Sequence, residues 1–392
     1  MNKIIWSGRS HNFLNSEIKF LSNIIKYADP LTNGKYLKLF EKSLSNYLKC
    51  KNVFALSSAA AGLEIISILC NLKKNDEVII PAHTYCASAI PFARRGAKIV
   101  WSDIDISSRV VSIEDILKKI TNRTKVIVVV HLYGYAFDVP ELKKKLKDKK
   151  ILLVEDCAQA IGAEINGKKV GTFGDFSCFS FQAQKNITTL GEGGAIYVKN
   201  KHLALKVPGL RYNGHCEFKK KSKFYWLPAM TNLDLDQQKQ WPYKFSLTEI
   251  QAAAGYLLLR RLDKLNQVRV SRAKKFIKTL KKFPELSFNS DYEKNRHVYH
   301  LLSAMIISKD FNRNDFINHL YKKYKIKCAI QYYPLYKYDL FKKMGLSKNS
   351  CKNTNLFYNN MVSFPFHVWM SKRDFNYLII SVKKTILQLR KK

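Results

Sequence analysis

Lys185 and Asp156 are the two side chains whose chemistry and surroundings invite a catalytic reading. Lys185 lies in residues 177–194, Ser-Cys-Phe-Ser-Phe-Gln-Ala-Gln-Lys-Asn-Ile-Thr-Thr-Leu-Gly-Glu-Gly-Gly. An apolar run at 176–181 leads in, and another at 195–198 follows the Gly191-Glu192-Gly193-Gly194 turn. A lysine held at strand ends is partly desolvated, which lowers its pKa and frees the neutral amine as a nucleophile. Lys and Arg, however, make up 68 of 392 residues, so taken alone the stretch favours a solvated surface lysine. Asp156 ends the strand-like run Ile151-Leu152-Leu153-Val154-Glu155 and precedes Cys157-Ala158-Gln159-Ala160. A carboxylate there can accept a hydrogen bond from a protonated ring nitrogen, or cap a short following helix. Ser57-Ser58-Ala59-Ala60-Ala61-Gly62 follows the short apolar run 53–56. Free N–H groups and small side chains at such a helix start suit a phosphate, while Ser57 or Ser58 as a simple cap explains the same residues.

The elements that must position these groups follow from periodicity. Helical spacing predicts amphipathic helices over 16–27 and 36–48, with Asp29-Pro30 ending the first. Strands are expected at 53–56, 77–80, 97–101, 126–130 and 151–155, and helices at 59–69, 86–94, 113–120 and 139–146. Asn166-Gly167-Lys168-Lys169 marks a hairpin turn. Strand–helix alternation with wholly apolar strands implies a parallel sheet covered on both faces. Ligands then bind beyond the carboxyl ends of the strands, where Ser58, Tyr85, His131 and Asp156 fall. Beyond residue 200 a helix begins at 202–206, and a polar, aromatic stretch at 216–240 has the character of an insertion near a site mouth. A long helical region spans 247–283. Strands at 298–307 and 327–331 and helices at 314–323 and 372–391 suggest a smaller α+β unit.

A chain of 392 residues with 46% hydrophobic content is long enough for a large core and two domains. No apolar run approaches the ~18 residues of a membrane span, and the first residues lack the apolar core of a secretion signal. Eight scattered cysteines without CxxC pairing fit a reduced, cytoplasmic protein with free thiols. The net charge of +38 would suit nucleic acid or a membrane surface. The lysines are dispersed, though, and not interleaved with aromatics. The favoured reading is solvated faces whose field attracts anionic small molecules, with no nucleic-acid partner.

Four motifs in order, Glu155-Asp156-Cys157-Ala158-Gln159-Ala160, Gly171-Thr172-Phe173-Gly174-Asp175, Ser180-Phe181 with Lys185-Asn186, and Gly191-Glu192-Gly193-Gly194, carry a family resemblance. The chain resembles the DegT-type sugar aminotransferases, pyridoxal-phosphate enzymes of the aspartate-aminotransferase fold. The resemblance covers nearly the whole chain, from residues 29–34 to Ser363-Phe364-Pro365-Phe366-His367 and the last helix. It implies an α/β, three-layer fold type I with a mostly parallel central sheet and a smaller α+β C-terminal domain, divided as 1–255 and 256–392. It implies pyridoxal 5′-phosphate as cofactor and no metal. Lys185 takes the place of the Schiff-base lysine, which also shuttles a proton between Cα and C4′. Asp156 takes that of the partner of the pyridine nitrogen, Gln159 that of the residue reaching the ring hydroxyl oxygen, and Tyr85 that of the stacking aromatic. Ser180 with Ala59 and Ala60 would hold the phosphate.

Departures from the family pattern are specific. Ala59-Ala60 stands where Gly-Thr is usual, so phosphate binding leans on backbone N–H groups. Leu190 lengthens the loop after Lys185 by one residue. Lys244 replaces an asparagine that reaches the phosphate of the partner subunit's cofactor, and could act there as a point charge. Gln331 stands where a histidine is frequent near the sugar; His83 is a second candidate for sugar contact. The resemblance implies a homodimer with shared sites, glutamate as amino donor and a nucleotide-linked keto sugar as acceptor, in the making of amino sugars for surface polysaccharide or glycoconjugate. An inosose aminotransferase stays open, because that branch also carries glutamine at the position of Gln182. A dehydratase on this scaffold has histidine in place of the lysine, so Lys185 argues against it. A non-catalytic basic binding protein is the alternative from a different class.

Overall fold

The computed structural model describes residues 4, 6–9, 12–147, 149–216, 232–235, 240–290, 295–347 and 351–390. Strands β1 (Val53–Leu56), β2 (Glu77–Pro81), β3 (Lys98–Ser102), β4 (Thr124–Val130) and β5 (Leu152–Asp156) alternate with helices. A small hairpin, β6 (Glu164–Ile165) and β7 (Lys168–Lys169), precedes β8 (Phe176–Ser180) and β9 (Gly194–Val198). Its turn residues Asn166 and Gly167 both take positive φ, 49° and 75°, as a two-residue hairpin turn requires.

Seven strands form one sheet in the order β1-β9-β8-β5-β4-β2-β3. Strands β3, β2, β4, β5 and β8 run parallel, and β9 runs antiparallel to both neighbours. The expected mostly parallel α/β sheet is present. In β4 the run Val126 to Val130 is buried throughout, as a strand covered on both faces must be. Register decides where the chemistry can sit: Val130 lies opposite Asp156, and Asp156 opposite Cys178. The carboxyl ends of β4, β5 and β8 are therefore level.

Asp156 is held in place by its neighbour. Glu155 is fully buried, and its carboxylate accepts N–H bonds from Gly171 (2.8 Å), Phe173 (2.7 Å) and Gly174 (2.6 Å). His131 Nδ1 accepts from Phe137 N–H (3.0 Å), so Nε2 carries the proton and donates to Glu155 (3.1 Å). A buried carboxylate needs such donors, and they explain why glycines surround Thr172 and Phe173. His131, Glu155 and Cys157 lie close together, but these donors already satisfy both carboxylate oxygens.

Further strands are β10 (His215–Cys216), β11 (Asn232–Leu233), β12 (Leu286–Ser287), β13 (Asn295–Arg296), β14 (Leu302–Ile306) and β15 (Met361–Phe364). The antiparallel sheet β12-β14-β15 packs with helices Arg313–Tyr324 and Lys372–Leu389. β13 pairs back onto β6, and one continuous apolar core joins both sheets. Glu249, buried at the start of helix Glu249–Leu259, accepts from the N–H groups of Gly34 (2.9 Å), Tyr36 (2.7 Å) and Leu37 (3.1 Å). It thereby caps helix Lys35–Leu48 from across the chain.

Several expected elements differ. The helix expected at 86–94 is a 3₁₀ turn, Cys86–Ser88, followed by Ile90–Arg94, with Pro91 unable to donate in the turn that would join them. The region 247–283 is two helices, Glu249–Leu259 and Leu262–Leu280, broken at Arg260-Arg261. Only Leu302–Ile306 of the strand expected at 298–307 forms, because Val298 N–H bonds Gly134 O instead of a sheet neighbour. The strand expected at 327–331 is reduced to one bridge, Ala329 to Ser363. The last helix ends at Leu389. Most of the insertion expected at 216–240, namely 217–231 and 236–239, lies outside the described residues.

Candidate active site

Strand β8 ends at Ser180, and the chain then loops out. Ala183 N–H returns to Gly191 O and Lys185 N–H to Gln182 O, both at 2.8 Å. Lys185 sits on this loop, beyond the carboxyl end of the sheet. Leu190 takes a left-handed φ of 65° and is exposed. It forms the corner from which Gly191 N–H reaches Thr188 Oγ1 (3.2 Å), at a strain cost of about 1 kcal/mol.

Lys185 lines a narrow cavity with Gln182, His300, Gln331, Tyr332 and His367. Burial lowers its pKa from 10.5 to about 8, against the opposing attraction of Asp156, Cys178 and Glu192. Asp156, 5% exposed, is fixed at both oxygens. Ser88 Oγ donates to Oδ2 (2.7 Å) and Ala158 N–H to Oδ1 (3.0 Å). Thr84 supports Ser88 (3.1 Å), and the Cys178 thiol also donates to Asp156. An amine and an oriented carboxylate thus share one end of the sheet, close enough to interact.

Gln159 lies on the same floor. Its Oε1 accepts from Tyr133 N–H (2.7 Å), so its Nε2 must donate, and it does so to the Tyr332 hydroxyl (2.9 Å). Tyr85, 58% exposed, meets Tyr332 edge to face at 6.0 Å and presents a ring at the mouth. Gln331 reaches the cavity through its side chain, and its buried Oε1 has no partner among the described residues. Its carbonyl accepts from the Tyr133 hydroxyl.

Helix Ala59–Leu69 starts beside these groups. Ser58 Oγ takes the N–H of Ala61 (3.0 Å) and Ser58 O that of Gly62 (3.1 Å), while those of Ala59 and Ala60 have no acceptor among the described residues. Both roles considered for this turn are thus compatible: Ser58 caps, and two N–H groups remain for an anion. Gly194 pairs with Ser180 across β8 and β9. A Cβ on Gly194 would lie 2.3 Å from Ser58 C and 2.4 Å from Ala59 N. Only glycine lets Ser180 and the helix start share one cradle.

Of the nominated residues Lys185 and Gln331 line the cavity itself, Asp156 acts on Lys185, and Gln159 and Tyr85 meet its wall at Tyr332; His83 and Lys244 have other surroundings. His83 is buried, bonded through Nε2 to the Tyr133 hydroxyl (2.7 Å) and packed edge to face on Phe357. Burial pushes its pKa down to about 3. It supports Tyr133 from within the core and is corrected from a sugar contact to a core residue. Lys244 is exposed and lies over the Tyr212 ring, 3.5 Å from its centre. Conversely, Tyr133, Tyr332, Ser88 and His300 build the site and were missed. Ser88 and His300 carried no periodic signal, and the tyrosines stand among apolar residues that look like core.

A buried amine of lowered pKa, a carboxylate held at both oxygens, an exposed aromatic ring and a helix start at the carboxyl end of a mostly parallel sheet suit a pyridoxal-phosphate-dependent transferase. The residues fit that cofactor: Asp156 for a protonated ring nitrogen, the Gly194 cradle for a phosphate, Lys185 for an aldehyde carbon. Residues 15–383 match the model of the DegT/DnrJ/EryC1/StrS aminotransferase family, and the chain belongs to that family. Its cofactor is pyridoxal 5′-phosphate. The chain is 32% identical over 296 residues to GDP-perosamine synthase of Vibrio cholerae, 76% of each chain being covered. Among solved structures it resembles PseC of Helicobacter pylori, an aminotransferase involved in the biosynthesis of pseudoaminic acid, at a TM-score of 0.87 and 25% identity over 98% of this chain and 100% of that one. A putative sugar aminotransferase of Streptococcus pneumoniae in its PLP-form aligns at 0.86 and 25% over 99% and 100%. Among the described residues, no helix is long and apolar enough to cross a membrane.

Proposed function

We propose that this aminotransferase moves an amino group from glutamate to a keto sugar carried on a nucleoside diphosphate, supplying an amino sugar for surface polysaccharide or glycoconjugate. The observation that carries the reading is a buried amine, its pKa lowered by desolvation, beside an oriented carboxylate. Burial lowers the Lys185 pKa to about 8, and the amine interacts with Asp156 and lines a cavity in which the buried amide oxygen of Gln331 has no partner among the described residues. When bound, pyridoxal phosphate supplies an electron sink and a temporary home for the amino group.

The chain's own residues do the rest. Asp156, immobilised by Ser88 and Ala158, would hold a ring N–H. Ser180 Oγ and the N–H groups of Ala59 and Ala60 would hold the phosphate. Tyr85 would cover one ring face. Lys185 would take a proton from the carbon bearing the amine and return it one position away, a task suited to a group titrating near working pH. Gln331 Oε1 would accept from a sugar hydroxyl.

The names of the relatives support a nucleotide-linked substrate. A charge of +38 supports capture of an anionic one. The reading includes a homodimer in which Lys244, exposed on its own subunit, reaches the partner's phosphate. It includes a cytoplasmic location, in keeping with eight free cysteines. It also includes two domains. The expected boundary at 255 falls within a helix, so we place the division at the Arg260-Arg261 break. The test is amination of a panel of nucleotide-linked keto sugars with glutamate, followed by mass. Amination of an inosose alone, or loss of water without gain of nitrogen, would overturn the substrate class.

A further inference from the structure

The cavity contains a second nitrogen heterocycle besides the one it is built to bind. His300 is buried and lines the same cavity as Lys185. Its Nδ1 lies 3.3 Å from Asn186 Oδ1. Asn186 follows Lys185 directly. Asn186 Nδ2 donates to Asn266 Oδ1 (2.7 Å), and Asn266 Nδ2 donates to the backbone carbonyl of Ile161 (3.0 Å).

The far end of this chain of bonds dictates the near end. A carbonyl oxygen only accepts, so Asn266 must present its nitrogen to Ile161 and its oxygen to Asn186. Asn186 must then present its nitrogen to Asn266 and its oxygen to His300. Nδ1 of His300 therefore carries the proton. Both asparagines are buried, so reversing either would set two acceptors face to face away from water. Nε2 is left as a bare lone pair, the polar atom the ring can present to the cavity.

Helix Leu262–Leu280 fixes the backbone as well as the ring. Arg269, three residues after Asn266 and fully buried, donates to the carbonyls of Tyr299 (3.4 Å) and His300 (3.3 Å). Tyr299 takes a left-handed φ of 45° just before His300, a strained conformation that its surroundings must hold. Burial, with the nearby positive charges of Lys185 and Arg269, keeps His300 neutral well below its usual range.

We propose that His300 is a positioning residue whose Nε2 accepts an N–H from the Lys185 amine, its tautomer set by the relay Ile161–Asn266–Asn186. This rests on Lys185 as the proton carrier proposed above. Lys185 then stands between two acceptors, Asp156 and His300 Nε2, with Cys178 and Glu192 the other groups that act on it. An amine steered from two sides keeps its lone pair aimed at the carbon it must serve.

The test uses the full-length, cofactor-free chain and no sugar. Nitrogen NMR of ¹⁵N-histidine-labelled protein reads the tautomer directly: His300 is expected protonated at Nδ1 and bare at Nε2 across neutral pH. Trace acetylation with mass readout gives the titration midpoint of Lys185. In His300→Leu the midpoint is expected to fall by about half a pH unit, since the ammonium loses one acceptor. In His300→Gln, which keeps an acceptor, it is expected to return towards the wild-type value. A proton on Nε2 in the wild-type chain, or a midpoint equal in all three proteins, overturns the proposal. Should His300→Leu not fold, the wild-type tautomer still decides it. None of these readouts involves a sugar, so a wrong substrate class would leave them unchanged.

Discussion

Replacing Lys185 by methionine should make the cofactor-free protein more stable, and only below a definite pH. Burial lowers the Lys185 pKa from 10.5 to about 8 even after the attraction of Asp156 is included. A group whose protonation is harder in the folded chain than in the unfolded one opposes folding wherever it is protonated in both states. That opposition is complete below pH 8, shrinks between 8 and 10.5, and vanishes above 10.5. The full shift corresponds to roughly 3 kcal/mol. The side chain retains some solvent contact at the cavity, so ~1–3 kcal/mol is the expected gain for Lys185→Met at pH 7. Urea denaturation of both cofactor-free proteins at pH 7, 9 and 10.5 measures it. The gap should close as pH rises. A variant no more stable at pH 7, or a gap that ignores pH, would refute a desolvated amine. The same shift has a kinetic face. At pH 7.5 an amine titrating near 8 is about one-quarter neutral, against roughly one part in a thousand at the ordinary value. Acetylation of Lys185 should therefore outpace that of surface lysines and level off above pH 9.

Three further outcomes follow from single contacts. Gly194→Ala places a Cβ 2.3 Å from backbone at Ser58; pyridoxal phosphate affinity, read by fluorescence titration, should fall at least about tenfold, with a loss of ~2 kcal/mol or more in stability. Asp156→Asn removes an anion that holds the Lys185 proton, so the acetylation midpoint should drop below 8 in the cofactor-free chain; an unchanged or raised midpoint would contradict the site geometry. Glu249→Ala strips three N–H groups of helix Lys35–Leu48 of their acceptor and should cost about 2–4 kcal/mol in urea denaturation while leaving the Lys185 midpoint in place.

The strands and most helices were legible because their signals are local. Val126 to Val130 can only be a covered strand, Asn166-Gly167 only a tight hairpin turn, and Ser58 before an apolar run a helix start. Lys185 and Asp156 were not legible from their local surroundings alone, which suited a surface lysine and a helix cap equally well; the order and spacing of the motifs that contain them singled them out. Gln159 was legible by position, but its partner was not. Tyr332 stands 173 residues away, and no spacing rule joins them. His83 failed in the opposite direction. Its neighbours in sequence put it at a strand end, but Phe357 and Tyr133 enclose it, a burial that only the folded chain creates.

Two of the segments whose secondary structure was misread help to complete the site. Residues 298–301 and 327–331 have strand-like composition, yet neither lies in a strand. The first departs from β14: Val298 bonds Gly134, and His300 lines the cavity of Lys185. The second keeps a single bridge at Ala329, then carries Gln331 and Tyr332 into the cavity. Each leaves ladder hydrogen bonds unmade and finds backbone partners in the other half of the chain, Gly134 O for Val298 N–H and the Tyr133 hydroxyl for Gln331 O, while Gln159 holds the Tyr332 hydroxyl. Local propensity loses to tertiary demand where a side chain must cross between two sheets. A sequence reader can use that failure: apolar, strand-like segments carrying His or paired Tyr, placed after a helix rich in buried polar residues such as Asn266 and Arg269, mark where the second half of the chain reaches over to finish a site begun by the first.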